Sequence, residues 1–287
     1  MEIILVPGFW LDASSWDAVT PPLVAAGHRV VPVTPAGAEA ENPRRAEVTL
    51  RDQVDDVVAL IDDASGRVVL VGHSGGAAVV HAALDARPDG VARAIYVDAV
   101  PLGAGGVIND ELPVVDGLVP LPDWDVFDDD YLVGLTPDLR EHFRSIAVPI
   151  PAAVASGVQE LSDERRYDVP VTVIACEFSS RALSEMFAAE HPWHSYVHEL
   201  SLLTDLRWID LPTGHWPQLS RPADLGAAIL AAVDGGGVRD PEAVPVAGGA
   251  PGADATDGLG AASGAGDETE IDADPGSGSE SGTKHDR

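Results

Sequence analysis

The stretch Val68-Val69-Leu70-Val71-Gly72-His73-Ser74-Gly75-Gly76-Ala77-Ala78-Val79-Val80 decides how the rest of the chain is read. A run of β-branched and apolar residues stops at Gly-His-Ser-Gly-Gly, and a small-residue helical pattern follows at once. This predicts strand, sharp turn and helix, with Ser74 at the apex. Such a turn holds the serine at strained backbone angles with its hydroxyl exposed. Glycines flank it because a Cβ there would strike the neighbouring strand or helix. The N–H groups that open the helix face the serine, where they can stabilise a developing negative charge. A bare G-x-S-x-G is common by chance, and the strand before it and the helix after it make this one specific. The competing reading is a tight glycine turn in a nucleotide-binding α/β domain.

Outward from this stretch the chain alternates strands and helices. Residues 3–6 form a first strand, followed by Pro7-Gly8-Phe9-Trp10. A helix is predicted from Ser14 or Ser15 to about Ala26, shortened or kinked at Pro21-Pro22 and closed by Gly27. Strand 28–33, a loop over 35–48 and a helix from Leu50 to Ala64 come next. In that helix Val54, Val57, Val58 and Ile61 fall on one face. After a helix at 75–87 and a strand at 91–98, the alternation stops. Residues 101–168 are rich in proline, acidic residues and aromatics (Trp124, Phe127, Tyr131, Phe143), with one clear helix from Thr136 to about Ala147. An insertion of that length reads as a cap over a site. A strand at 169–178, a helix at 180–190, a strand at 206–211 and a helix at 223–233 complete the body. The architecture is α/β, a mainly parallel sheet between helices.

The composition narrows the function classes. The 287 residues are 45% apolar, enough for a substantial core. No apolar run approaches the ~18 residues of a membrane span. A net charge of −30 argues against nucleic acid or anionic membrane as partner, and it reads as codon bias or as adaptation to high salt. The first residues enter a strand directly, without a basic or cleavable leader, so a cytoplasmic protein is expected. The single cysteine, Cys176, excludes an internal disulfide and reads as core. Residues 235–287 carry eleven Asp/Glu against three Lys/Arg and almost no large apolar side chain. They are expected to be a disordered acidic tail. The domains are therefore 1–234 and 235–287.

A nucleophilic serine needs a base, and the base an orienting carboxylate. Of nine histidines, His215 stands out, in Thr213-Gly214-His215-Trp216-Pro217, between the last strand and the last helix. Gly-His-Ser-Gly-Gly, then Gly-His-Trp-Pro…Arg-Pro before a terminal helix, resembles the α/β-hydrolase fold. The element Pro-Gly-Phe-Trp…Ser-Ser-Trp resembles the oxyanion loop of its branch with plant methylesterases, hydroxynitrile lyases and bacterial homologues. The resemblance covers residues 1–234. It implies Ser74 as nucleophile, His215 as general base and acid, and the backbone N–H groups of Phe9 and Gly75 as oxyanion hole. Pro7 departs from the family, where a histidine usually precedes the glycine without transferring protons. A second departure concerns the acid: at its usual place, after strand 169–178, stands Ser179. Two carboxylates can substitute. Asp98 ends the preceding sheet strand, and Glu177 lies two residues before the usual place. Asp98 is favoured, and both stay open here.

His73, Trp10, Trp124 and Trp216 are candidates for the pocket wall. His81 reads as a packed or partly exposed helix residue. His191, His194 and His198 lack a carboxylate partner motif and read as a solvated segment, with no metal site. The leading expectation is a serine esterase of the α/β-hydrolase type, cleaving a small, uncharged or weakly charged ester through an acyl-enzyme. It needs no cofactor and works as a monomer or homodimer on a small-molecule substrate. A hydroxynitrile-lyase-like enzyme is one alternative, disfavoured because the body has no lysine. A non-catalytic binding protein of the same fold is the other.

Overall fold

The computed structural model describes residues 1–39 and 41–239. Its elements, in chain order, are β1 (Glu2–Val6), α1 (Pro21–Ala25), β2 (Arg29–Pro32), α2 (Leu50–Asp63), β3 (Val68–His73), α3 (Gly75–Ala86) and β4 (Val91–Val97). There follow β5 (Leu118–Val119), α4 (Pro137–Ile146), β6 (Ile150–Pro151) and α5 (Ala152–Ala155). The chain ends with β7 (Val171–Ala175), α6 (Ser180–Glu185), α7 (His194–Ser201), β8 (Leu206–Asp210), α8 (Pro217–Ser220) and α9 (Pro222–Val233). Six strands form one sheet in the order β2-β1-β3-β4-β7-β8, and every pairing is parallel.

Alternation along the strands divides the core in two. Ile4, Val6, Leu70, Tyr96 and Val173 face the side covered by α2 and α3. Their neighbours Ile3, Leu5, Val71, Ile95 and Ile174 face Trp16, Leu23 and Ile229 on the other side. Strands buried on both faces read as continuous apolar runs, which is why periodicity of two is absent from them. Helix starts follow local chemistry. Thr49 and Asp52 make a reciprocal capping box at α2, and Thr136 caps α4 with Pro137 at its first position.

The insertion 101–168 has little regular structure and builds a core of its own. Leu132, Leu135, Phe143 and Ile150 pack there with Trp10 and Trp216 from the body. Leu102, Ile108, Phe127 and Tyr131 of this insertion line a cavity together with Ser74.

Three local expectations are corrected. The helix expected from Ser14 or Ser15 to Ala26 is two pieces: a 3-10 turn, Ala13–Trp16, capped by Asp12, and the separate α1 starting at Pro21. Two successive prolines cannot supply the N–H groups of a continuing helix. The helix expected over 180–190 ends at Glu185, and residues 194–201 form α7, with Val197, Glu199 and Leu200 buried. Residues 235–239 do not belong to a free tail. Val238 pairs with Trp208 across the sheet edge, and Arg239 reaches Asp205 at 2.9 Å. The rest of the expected disordered tail, 240–287, lies outside the described residues.

Candidate active site

Ser74 sits between β3 and α3 with φ 50° and ψ −129°, a conformation that L-residues rarely adopt. The turn closes because glycines admit the backbone on both sides. A Cβ on Gly76 would lie 2.5 Å from the Pro7 carbonyl oxygen, and one on Gly72 2.7 Å from Ala77 Cα. The serine therefore stands above the strand ends with α3 directly beneath it.

His215 Nε2 is 2.7 Å from Ser74 Oγ, and His215 Nδ1 is 2.7 Å from Asp98 Oδ2. Nδ1–H donates to the carboxylate, which leaves Nε2 free to accept the serine proton. Asp98 follows β4 at φ 44°, a turn that carries its side chain across to the histidine loop. Its other oxygen accepts the N–H groups of Cys176 (3.1 Å) and Glu177 (2.9 Å). Burial opposes its charge, but the bond to His215, the charge there and the Glu177 amide outweigh burial and hold the carboxyl below its ordinary value. Of the two candidate carboxylates, Asp98 makes the bond to His215. Ser179, at the family's usual acid position, instead caps α6 by accepting from Ala182 N–H at 3.2 Å.

Glu177 lies beside the same pair. One ligand atom each of Asp98, Glu177 and His215 falls within 4.8 Å of the others. Such a trio could take a metal, but His215 Nδ1 and Asp98 already share a proton there. Burial, then the charges of Asp98, Asp130 and Asp128, pushes Glu177 up to about 8. Tyr131 stacks on the His215 ring at 4.2 Å between centroids, and its carbonyl accepts the His215 N–H at 2.9 Å. Sequence reasoning saw Tyr131 only as one cap aromatic. A contact to a loop 84 positions away leaves no local signal.

Gly75 is the first residue of α3, so its N–H has no partner within the helix. Its absent Cβ would meet the Phe9 ring at 2.7 Å, and a Cβ on Gly8 would meet Ser74 Cβ at the same distance. The Gly8–Phe9 stretch thus packs directly against Ser74 and Gly75. Two other expectations are corrected. His73 is fully buried and does not line the cavity. Its Nδ1 accepts from Gly8 N–H at 3.3 Å and its Nε2–H donates to the His215 carbonyl at 2.7 Å. It therefore ties the oxyanion loop to the histidine loop. Trp124 is not at the cavity wall either; it packs on Phe127, Phe143 and Trp216 with Arg144 over its face. Trp10 and Trp216 do line the cavity.

That cavity measures about 820 Å³ and runs from Ser74, Phe9 and His215 to α7. It is in the range of sites for bulky ligands and exceeds what a small ester fills. The α7 wall is anchored by a buried network that the sequence did not reveal. His81 on α3 donates from Nε2 to Glu199 Oε1 (3.1 Å) and accepts from the Tyr96 hydroxyl (2.7 Å). Arg166 donates to Glu199 Oε1 (3.0 Å) and to Asp85 (3.1 Å). Asp85 also accepts the Ser162 and Asp163 N–H groups.

Comparisons with known proteins agree with this fold. A family model described as "Alpha/beta hydrolase family" matches residues 3–229. Esterase PIR7B of Oryza sativa subsp. japonica is 38% identical over 102 residues, which span 34% of this chain and 38% of that protein. Among solved structures, an extracellular alpha/beta-hydrolase from a Paenibacillus species is 22% identical, with a TM-score of 0.63 over 84% of this chain and 100% of its own. The methylesterase MES16 from Arabidopsis is 21% identical, with a TM-score of 0.63 over 82% and 99%. A pyrethroid hydrolase from Sphingobium faniae JZ-2 is 24% identical, with a TM-score of 0.58 over 82% and 97%.

Proposed function

Since the chain belongs to the alpha/beta hydrolase family, we propose that it is a serine esterase in which Ser74, His215 and Asp98 are the triad. The observation that carries this reading is the unbroken relay Ser74 Oγ–His215–Asp98, with both links at 2.7 Å. His215 Nε2 takes the Ser74 proton as Oγ attacks the ester carbonyl. The oxyanion is held by the N–H groups of Phe9 and Gly75, and Asp98 stabilises the imidazolium. Return of that proton to the alkoxide expels the alcohol and leaves an acyl-Ser74. A water molecule, deprotonated by the same nitrogen, releases the acid. The partial match to a plant esterase supports the ester as substrate class.

The test is pre-steady-state hydrolysis of 4-nitrophenyl esters. A burst of nitrophenolate equal to the enzyme concentration, abolished in Ser74→Ala, supports the acyl-enzyme. Full activity in Ser74→Ala would refute it.

A further inference from the structure

Opposite the triad, the cavity carries a group of residues that ester cleavage does not use. Trp193, Tyr196 and Glu199 recur every three residues at the start of α7 and along it, on the face that lines the cavity. The Trp193 and Tyr196 rings meet edge to face, 6.4 Å apart, and both line the cavity. Glu199 Oε1 is taken by His81 and Arg166. The Tyr167 hydroxyl is also hydrogen-bonded to this carboxylate, and Glu199 Oε2 lies next to Gly103, where an added Cβ would meet it at 3.4 Å.

The charges do not cancel. Arg166 is shared between Glu199 and Asp85, and burial keeps His81 neutral by lowering its pKa. One buried cation thus faces two buried carboxylates. Among the described residues, no arginine or lysine lines the cavity. We propose that the α7 wall is a subsite for a cationic ammonium group of the substrate, held over the Trp193 and Tyr196 rings beside the Glu199 carboxylate. Aromatic faces next to one carboxylate suit a quaternary or tertiary ammonium, whose weakly hydrated charge loses little on leaving water. An anionic group at the same place would be repelled.

The reach follows from α3. His81, to which Glu199 is bonded, comes seven residues after Ser74, about 10 Å along the helix axis. The ammonium therefore lies several methylenes from the scissile carbonyl. The chemical class is an ester whose acyl or alcohol part ends in an alkylammonium. This subsite rests on the esterase reading for its reaction, while its binding can be measured apart from it.

The experiment compares 4-nitrophenyl 6-(trimethylammonio)hexanoate with its neutral isostere, 4-nitrophenyl 7,7-dimethyloctanoate, on the full chain at low ionic strength. The wild-type protein should prefer the cation in kcat/KM by about tenfold or more. Gly103→Leu places a side chain against Glu199 Oε2 while leaving the Arg166 bond to Oε1 in place, and should bring the ratio close to one. A wild-type ratio near one overturns the proposal, and so does a preference that survives in Gly103→Leu. If neither ester is hydrolysed, the esterase reading fails, and binding of hexyltrimethylammonium decides the subsite. Saturable quenching of tryptophan emission that Gly103→Leu abolishes supports it; no saturable quenching overturns it.

Discussion

Replacing Asp98 by Asn tests the relay at its most informative point. Asp98 accepts three hydrogen bonds: two from backbone N–H groups at one oxygen and one from His215 Nδ1–H at the other. An asparagine keeps a single acceptor, and the Cys176 and Glu177 N–H groups, which have no alternative, claim it. Its NH₂ then faces His215 Nδ1 and drives the proton to Nε2. The nitrogen beside Ser74 becomes a donor and can no longer act as base. Loss of the correct tautomer and of imidazolium stabilisation costs about 10⁴ in kcat, roughly 5 kcal/mol of barrier. KM should change little, because Asp98 sits behind the histidine. Steady-state kinetics of Asp98→Asn and Glu177→Gln, with a melting curve to show that each is folded, is the assay. The expectation is a collapse in kcat for the first and less than about tenfold for the second. A folded Glu177→Gln that falls as far as Asp98→Asn would refute the assignment of Asp98 and make Glu177 the acid.

Other predictions come from the same geometry. Glu177 is neutral below about 8 and charged above it. Its raised pKa means the folded protein keeps a proton that the unfolded chain has lost above pH ~4.5. Stability therefore declines between those values, and Glu177→Gln should flatten that decline in a plot of Tm against pH. The kcat/KM profile of Glu177→Gln should likewise lose an inflection near pH 8. His73→Phe leaves Gly8 N–H and the His215 carbonyl without their partner, at about 1–3 kcal/mol for each buried group, and should lower both Tm and kcat. Burial, then the charge of His215, depresses His73 to about 3. Its contribution to stability is full above pH ~6.5 and lost as pH falls toward 3; His73→Phe should show less acid destabilisation on the low-pH side of the Tm curve. Gly76→Ala would drive a methyl to 2.5 Å from the Pro7 carbonyl oxygen. It should cost about 1–3 kcal/mol in chemical denaturation and reduce kcat as α3 moves.

What the sequence made legible was whatever local chemistry dictates. The Gly-His-Ser-Gly-Gly turn reads directly because backbone crowds the Cβ positions of residues 72 and 76 and admits only glycine, and the Thr49 and Thr136 caps announce their helices. His215 is found by its place between the last strand and the last helix. Asp98 could be proposed from its position at a strand end, but its bond to His215 spans 117 positions, and only the cross-sheet geometry separates it from Glu177. The network of His81, Asp85, Arg166 and Glu199 was invisible for the same reason. Each member looks like a helix-surface or loop residue until three segments of chain are brought together. Helix α7 was missed because Pro192 and three histidines gave its surroundings the look of a solvated loop, while its buried face rests on just Val197, Glu199 and Leu200. The cap's depth, and with it the size of the cavity, depends on packing among aromatics scattered from Trp10 to Trp216, which no periodic pattern records.

The most direct test of the account is the intact mass of the protein after treatment with a fluorophosphonate, followed by peptide mapping. An activated serine predicts one adduct per chain, located on Ser74 and lost in His215→Ala. No adduct, or an adduct on another residue, would contradict the claim that Ser74 is the nucleophile.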